Sequence, residues 1–458
     1  MSTHQFTTRT AIAIVVANMI GTGVFTSLGF QLVDIQSTFV LMMLWLVGGV
    51  TALCGALTYA ELGSSLPRSG GEYNFLSEIY HPAAGFISGW ISATVGFAAP
   101  TALAAMTFGA YLEASISGLS ATVMASLLVI TLTLVHAFSH AASGGVQSVF
   151  TVLKVLLIIL FVGLVAFSVE NPQPVTLLPA AGDGTLLISS AFAVSLIYVN
   201  YAYTGWNAAT YIINEVEEPQ RSMPVILFTG TATVLVLYLL LNYTFLYAAP
   251  MAEMAGKIEI GVIVAQFAFG ETGGMIMGIV LATLLISTVS AMVIAGPRVL
   301  QVIGEDFTLF RLLSRKNANQ IPMIAIMTQS AVTLFFILTS TFESVLVFSG
   351  FVMGVNTFFA VAGVFLLRRR LAASELEGRE KSSYTTSHRT SYRASYRTWG
   401  YPVTPLIYLG LMAWTLIYIL INRPEEGWAG LGMIVAGGLL YLLSEKLGKA
   451  KAGDNGLG

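Results

Sequence analysis

Apolar runs about as long as a bilayer is thick recur along almost the whole chain, parted by short polar breaks. They fall near residues 9–33, 37–63, 82–113, 121–137, 145–168, 185–214, 223–248, 272–303, 321–340, 343–367, 402–421 and 428–445. A helix rises about 1.5 Å per residue and the hydrocarbon slab is about 30 Å thick, so each run of roughly 20 residues can cross once. A helix also satisfies its own backbone polar groups, which lipid cannot do. The pattern therefore predicts an all-α integral membrane protein with about twelve transmembrane helices. Two stretches depart from it. Residues 368–400 open on Arg368-Arg369-Arg370 and continue polar, basic and rich in Ser, Thr and Tyr, as expected of a cytoplasmic loop beside an anionic leaflet. Residues 251–271, with Lys257 among apolar neighbours, read as an external lid carrying a short helix.

Composition and charge exclude several classes. Of 458 residues 56% are hydrophobic and 10% charged, and mean hydropathy is +0.80, so the length does not stand for two or three soluble domains. Net charge is −2 and no basic stripe with interleaved aromatics is present, which argues against a nucleic-acid partner. Cys54 is the single cysteine, so neither an intramolecular disulfide nor a cysteine metal site is available. The first apolar run is longer than a signal-peptide core and lacks a cleavage site, so it is expected to stay as the first span. Among the 21 Lys and Arg, Lys257 and Arg423 fall outside and Lys154 within a span if both termini are cytoplasmic; the rest then lie inside. That asymmetry fixes the orientation, with both termini cytoplasmic, and the expected location is the cell membrane. No nucleotide-binding loop and no grouping of nucleophile, base and oxyanion donor is discernible, so neither an ATP-driven pump nor an enzyme is expected, and no cofactor is implied.

Two spans are interrupted near their middles, the first by Gly21-Thr22-Gly23 and the sixth by Thr204-Gly205 within YVNYAYTGWNAA. A lone glycine pair in a membrane helix usually serves close packing. Interruptions of equivalent helices in two halves instead line a polar site at the midplane. The two spans are five apart, and because five is odd a five-span repeat must start from opposite faces, which makes it inverted. The chemistry of such breaks suits a zwitterion. The half-helix after Gly21 offers N–H groups of Thr22, Gly23 and Val24 and a positive dipole end to a carboxylate. Carbonyls freed near Ile20, Tyr201, Ala202 and Thr204 can accept from an ammonium group.

At these residues the chain resembles the amino acid, polyamine and organocation superfamily, and within it the L-type amino-acid transporters and their bacterial relatives. NMIGTGVF is similar to that family's first-helix motif, YAELGSSLPRSGGEYNFL to the end of its second helix and the segment beyond, PTALAAMTFGAYL to its third helix, and YAYTGWNAATYIINEVEEPQRSMP to its sixth. The resemblance runs the length of the chain in order. It implies a leucine-transporter-like fold of five plus five helices in inverted repeat with two added C-terminal helices. The repeats would occupy 9–168 and 185–368, the basic loop 369–401 and the added pair 402–446. It implies amino-acid transport, with carboxylate contacts at Thr22, Gly23 and Val24. Amino-group contacts fall at Ile20, Tyr201, Ala202 and Thr204, with Tyr201 at an aromatic gate and Asn207 nearby. Selectivity is expected around Tyr201, Thr204 and Asn207.

Three departures shape the expectation. The loop at 113–120 lacks the cysteine through which animal L-type members join a glycoprotein subunit, so no disulfide-linked heavy subunit is expected and a monomer suffices. Thr204 stands two residues before Trp206, where relatives favouring cations can carry an acid, and no acid falls among the binding positions. In the seventh span a polar aromatic of some relatives aligns with Phe245, so a hydroxyl near the lid is missing.

Lys154 lies in the fifth span, about ten residues and roughly 15 Å from its start, beyond easy snorkelling. A charge so placed is costly and usually functional, although it can simply bridge helices. The resemblance puts it where sodium-coupled relatives bind a cation between the first and eighth helices. Its expected partners are carbonyls near Ala17 to Ile20 and the hydroxyl of Thr288, with Ser287 second. Glu61, Arg68, Glu72 and Glu78 are expected to be solvated or to form gate ion pairs. Pro100 is expected to kink the third span, and His136 with His140 makes a poor metal site. The reading is a sodium-independent secondary transporter of small to medium neutral L-amino acids, by exchange or proton-linked uptake. A polyamine or other amine transporter on the same fold, and a membrane channel or sensor, stay open as alternatives.

Overall fold

The computed structural model describes residues 6–138, 144–307, 310–317, 321–380 and 396–454. Among them there is no strand, only a bridge between Phe6 and Val216. Among the described residues nine helices are long and apolar enough to cross a membrane. Two shorter apolar helices, Val152–Ser168 and Met323–Thr339, stand at the fifth and ninth expected spans. The sixth is broken, completing the twelve. The protein is thus an all-α membrane protein, as the apolar pattern predicts.

Local sequence sets where helices begin. The Thr7 hydroxyl caps Thr8–Met19, Ser37 caps Thr38–Ser65 and Ser189 caps Ser190–Tyr203, each accepting from a first-turn N–H. Pro82 opens the third span at a position where its missing N–H is harmless. Pro100 acts differently from a simple kink. The turn before it, Ser92–Gly96, widens to a π-helix, which accommodates the hydrogen bond that proline cannot make. The second span packs along the seventh and the third along the eighth, so the two broken spans are framed by continuous helices.

Three elements differ from expectation. The tenth helix runs Phe342–Glu380, so the first part of the expected 369–401 loop is helical: residues 371–380 are mostly strong helix formers, with Gly378 the one poor former and no proline. Residues 381–395 of that loop lie outside the described residues, as does His140. The lid holds two helices: Met251–Met254, then one starting at Ile260 that bends at Gly270, φ 74°, into the eighth span. The lid docks through Gly256 N–H, which donates to the Gly29 carbonyl at 2.8 Å. After its break the sixth span continues as a 3₁₀ helix, Ala208–Glu215.

Of the four charged residues expected to be solvated or ion-paired, Glu61 forms an ion pair. Its carboxylate, 2% exposed, takes Arg368 Nε and Nη2 at 2.7 Å each, and the Thr398 N–H and Oγ at 2.7 and 2.6 Å. Arg368 also stacks 3.6 Å over the Tyr401 ring. Four donors on one carboxylate tie the second and tenth spans to the lead-in of the eleventh, the arrangement a buried charge requires.

Candidate functional site

The first span stops at Met19 and resumes at Gly23. Ile20, with φ −75° and ψ 86°, leaves the helix, and Gly21 N–H turns back to the Met19 carbonyl at 2.9 Å. The second half-helix therefore begins with first-turn N–H groups that have no carbonyl ahead of them in their own helix. The sixth span stops at Tyr203, and Thr204 N–H closes on the Tyr201 carbonyl at 2.9 Å. Gly205 follows at φ 107°, a conformation glycine adopts freely, and a side chain there would stand 2.8 Å from the Asn18 backbone.

The two breaks touch. A Cβ on Gly23 would lie 2.5 Å from Ala202 Cα, so only glycine lets the half-helices approach this closely. Tyr238, fully buried in the seventh span, fastens them: its hydroxyl lies 2.5 Å from the Met19 carbonyl and 3.0 Å from that of Ala202. One phenol thus bridges the ends of both half-helices. Tyr238→Phe removes the only donor of that ring; the Met19 carbonyl keeps Gly21 N–H but the buried Ala202 carbonyl loses its side-chain donor, a loss of about 1–3 kcal/mol. The expected result is a lower melting temperature and uptake into proteoliposomes reduced severalfold. Parent-level uptake would show that packing alone holds the breaks.

A cavity of about 800 Å³ runs from the breaks toward the face that carries the N-terminus, where Phe6 and Thr10 line its mouth. Ala17, Ile20, Thr22, Gly23, Tyr201, Ala202, Thr204 and Asn207 line it. Two of the twelve expected residues do not. The Val24 side chain is buried in the core, leaving only its backbone to contribute, and Ser287 spends its hydroxyl on Leu284 of its own helix at 2.9 Å. On the opposite face the site is plugged. Phe30 stacks on Phe342 at 5.6 Å and meets Tyr198 at 5.9 Å, and the Ser27 hydroxyl donates to the Tyr198 carbonyl at 3.2 Å. Tyr198 Oη donates to Glu343 at 2.6 Å, and Arg423 pairs with the same carboxylate.

Lys154 Nζ donates to Thr288 Oγ1 at 2.6 Å, joining the fifth and eighth spans. It borders the large cavity and shares a smaller one of about 20 Å³ with Ile20, Gly21 and Thr22. The expected hydrogen bonds to carbonyls of Ala17 to Ile20 are not made. Met19 O already receives Gly21 N–H and Tyr238 Oη, so this corner is satisfied from within. Thr288, not Ser287, is the hydroxyl partner.

Glu72 departs furthest from expectation. It is neither solvated nor ion-paired: it is 1% exposed, accepts from Tyr59 Oη at 2.9 Å, Asn207 Nδ2 and Tyr211 Oη at 2.5 Å, and contributes to the cavity wall. An acid therefore does reach the site, although no sixth-span position supplies one. The missing hydroxyl near the lid is likewise replaced from elsewhere. Phe245 is fully buried against Phe161, while Tyr238, two turns earlier on the same helix, carries the hydroxyl. His136 meets Ser290 Oγ at 2.8 Å, and among the described residues no group of three or more His, Cys, Asp or Glu could hold a metal.

Twelve spans around a midplane cavity formed by two broken helices define a polytopic membrane transporter. More particularly, the chain belongs to the amino acid permease family, whose sequence pattern matches residues 6–442. It is 26% identical over 449 residues to the large neutral amino acids transporter small subunit 2 of Rattus norvegicus, covering 94% of this chain and 79% of that protein. The b(0,+)-type amino acid transporter 1 of Mus musculus is 26% identical over 372 residues, 78% of this chain and 74% of that protein. The cystine/glutamate transporter of Homo sapiens is 24% identical over 366 residues, with 78% and 72% covered. The family and these relatives are transporters, not enzymes.

Proposed function

We propose that this protein is a secondary carrier of small to medium neutral L-amino acids that needs no sodium and works by exchange or proton-linked uptake. The observation that carries the reading is the contact of two broken half-helices at the head of one cavity. First-turn N–H groups from Thr22 to Val24 face a carboxylate there, and carbonyls from Ile20 and Tyr201 to Thr204 face an ammonium. A cavity open on one face and plugged on the other supports alternating access rather than a continuous pore. With both termini cytoplasmic in the cell membrane, this conformation is inward-facing. The breaks in the first and sixth spans support inverted repeats over 9–168 and 185–368, with 402–446 as an added pair.

The rat relative is by name a small subunit, one part of an assembly. Cys54 is 7% exposed within the second span, so a disulfide-linked partner is not part of the reading, and a monomer is proposed. Glu72 on the cavity wall favours testing an amine cargo as the second reading, although three neutral donors already occupy that carboxylate. Putrescine competing better than any neutral amino acid would support it.

A thermal-shift screen of the twenty amino acids tests the main reading. Because main-chain groups hold both ends of the zwitterion, an amide-capped and an N-acetylated form of the best ligand are each expected to bind at least tenfold more weakly. Equal competition by both blocked forms would refute recognition at the breaks.

A further inference from the structure

Three side chains from two elements converge on the Glu72 carboxylate: Tyr59 from the second span, and Asn207 and Tyr211 from the stretch that follows the sixth-span break. The chain delivers Glu72 there by turning through Gly70 and Gly71, at φ 126° and 53°, into the helix Glu72–Ile79. The backbone reinforces the same contact, since Gly71 N–H reaches the Thr210 carbonyl at 3.4 Å and Asn214 N–H the Ser69 hydroxyl at 3.1 Å. The carboxylate can only accept, whereas an asparagine amide presents a donor at one end and an acceptor at the other. Which end points where is settled by the surrounding hydrogen bonds. Here Asn207 must turn its NH₂ to Glu72, and Tyr211 lies beside the same amide. Its oxygen Oδ1 is left for the cavity that Asn207 lines, and no described residue donates to it.

We infer that Glu72 is a positioning residue for substrate selection: it fixes the Asn207 amide with its oxygen toward the cavity, so that the site favours neutral amino acids whose side chain carries a hydroxyl donor. This inference rests on the amino-acid carrier reading above. Threonine and valine separate the effect from volume, because they share a shape and differ in one hydroxyl. Valine leaves the Asn207 oxygen facing a methyl group; threonine offers it a hydrogen. A net preference of about three- to tenfold for threonine is the size expected of one such bond.

Thermal-shift titration of the purified full-length protein with threonine and with valine is the test, read as the ratio of the two apparent dissociation constants. The parent should favour threonine by that factor. In Glu72→Gln the new amide can present either end, Asn207 is free to turn over, and the ratio should fall to one or invert. Asn207→Ala should also abolish it. Glu72→Asp keeps an acceptor-only group and should retain a ratio above one. A packing role alone would give the reverse order, since Gln matches Glu in shape and Asp is a methylene short. Should Glu72→Gln not fold, Tyr211→Phe, which removes one donor beside the same amide, should lower the ratio. A parent ratio of one, or a parent-like ratio in Glu72→Gln or in its substitute Tyr211→Phe, would overturn the inference. If none of the twenty amino acids binds, the carrier reading itself fails instead.

Discussion

Gly23→Ala is expected to weaken amino-acid binding by about tenfold or more, a larger effect than one added methyl group would have at most positions. The added Cβ would stand 2.5 Å from Ala202 Cα and 2.8 Å from Ala202 Cβ. Carbon atoms in good contact sit about 3.5–4.0 Å apart, so the half-helices must part by roughly 1 Å. The obstacle is backbone, which cannot swing aside as a side-chain tip would. Overpacking of this kind costs about 1–3 kcal/mol, a factor of about 5 to 150. Moving the half-helices apart also separates the carboxylate-facing N–H groups from the ammonium-facing carbonyls that a zwitterion must bridge together. Gly21 provides the contrast, because a Cβ there meets nothing within 4 Å. Gly21→Ala is expected to weaken binding far less. Thermal-shift titrations of both variants with the best ligand check this, and equal losses would show that the contact between the breaks does not set affinity.

The elements that were legible in the sequence are those written in local chemistry. Apolar runs announce spans, and the glycine-threonine breaks at Gly21–Gly23 and Thr204–Gly205 appear where helices in fact stop. Lys154 stood out because a lone ammonium in an apolar run is costly, while its Thr288 partner came from the family resemblance and not from any local pattern. The Glu72 cluster was not legible. Its donors come from positions 59, 207 and 211, so the contact depends on how distant helices pack and leaves no local signature. Tyr238 left a weak one: a tyrosine at mid-span rather than in the interfacial belt is out of place unless its hydroxyl has a partner. The 3₁₀ turn after Asn207 was not legible because its apolar content matches that of an α-helix, and its contact with the loop at 69–72 joins residues distant in the chain.

Uptake into proteoliposomes is expected to be equal in sodium and in choline buffers, and to fall by an order of magnitude or more in Lys154→Ala. The Lys154 ammonium sits 2.6 Å from Thr288 Oγ1, against the first-span break and the eighth span. A sodium ion bound between the same elements would lie within a few ångströms of it. Two unit positive charges 4 Å apart repel by about 4 kcal/mol even at an effective dielectric of 20, enough to lower sodium affinity about a thousandfold. On the proposed reading ion and lysine therefore exclude each other, and the ammonium stands where the cation would. Its removal leaves the Thr288 hydroxyl without its donor and uncouples the fifth and eighth spans from the break, which has to move when access alternates. Binding from the open face needs no such movement, so transport should suffer more than affinity. Measuring uptake and thermal-shift affinity on the same preparation separates the two effects. A sodium requirement in the parent would rule out the assignment, and full uptake by Lys154→Ala would reduce the lysine to a helix bridge.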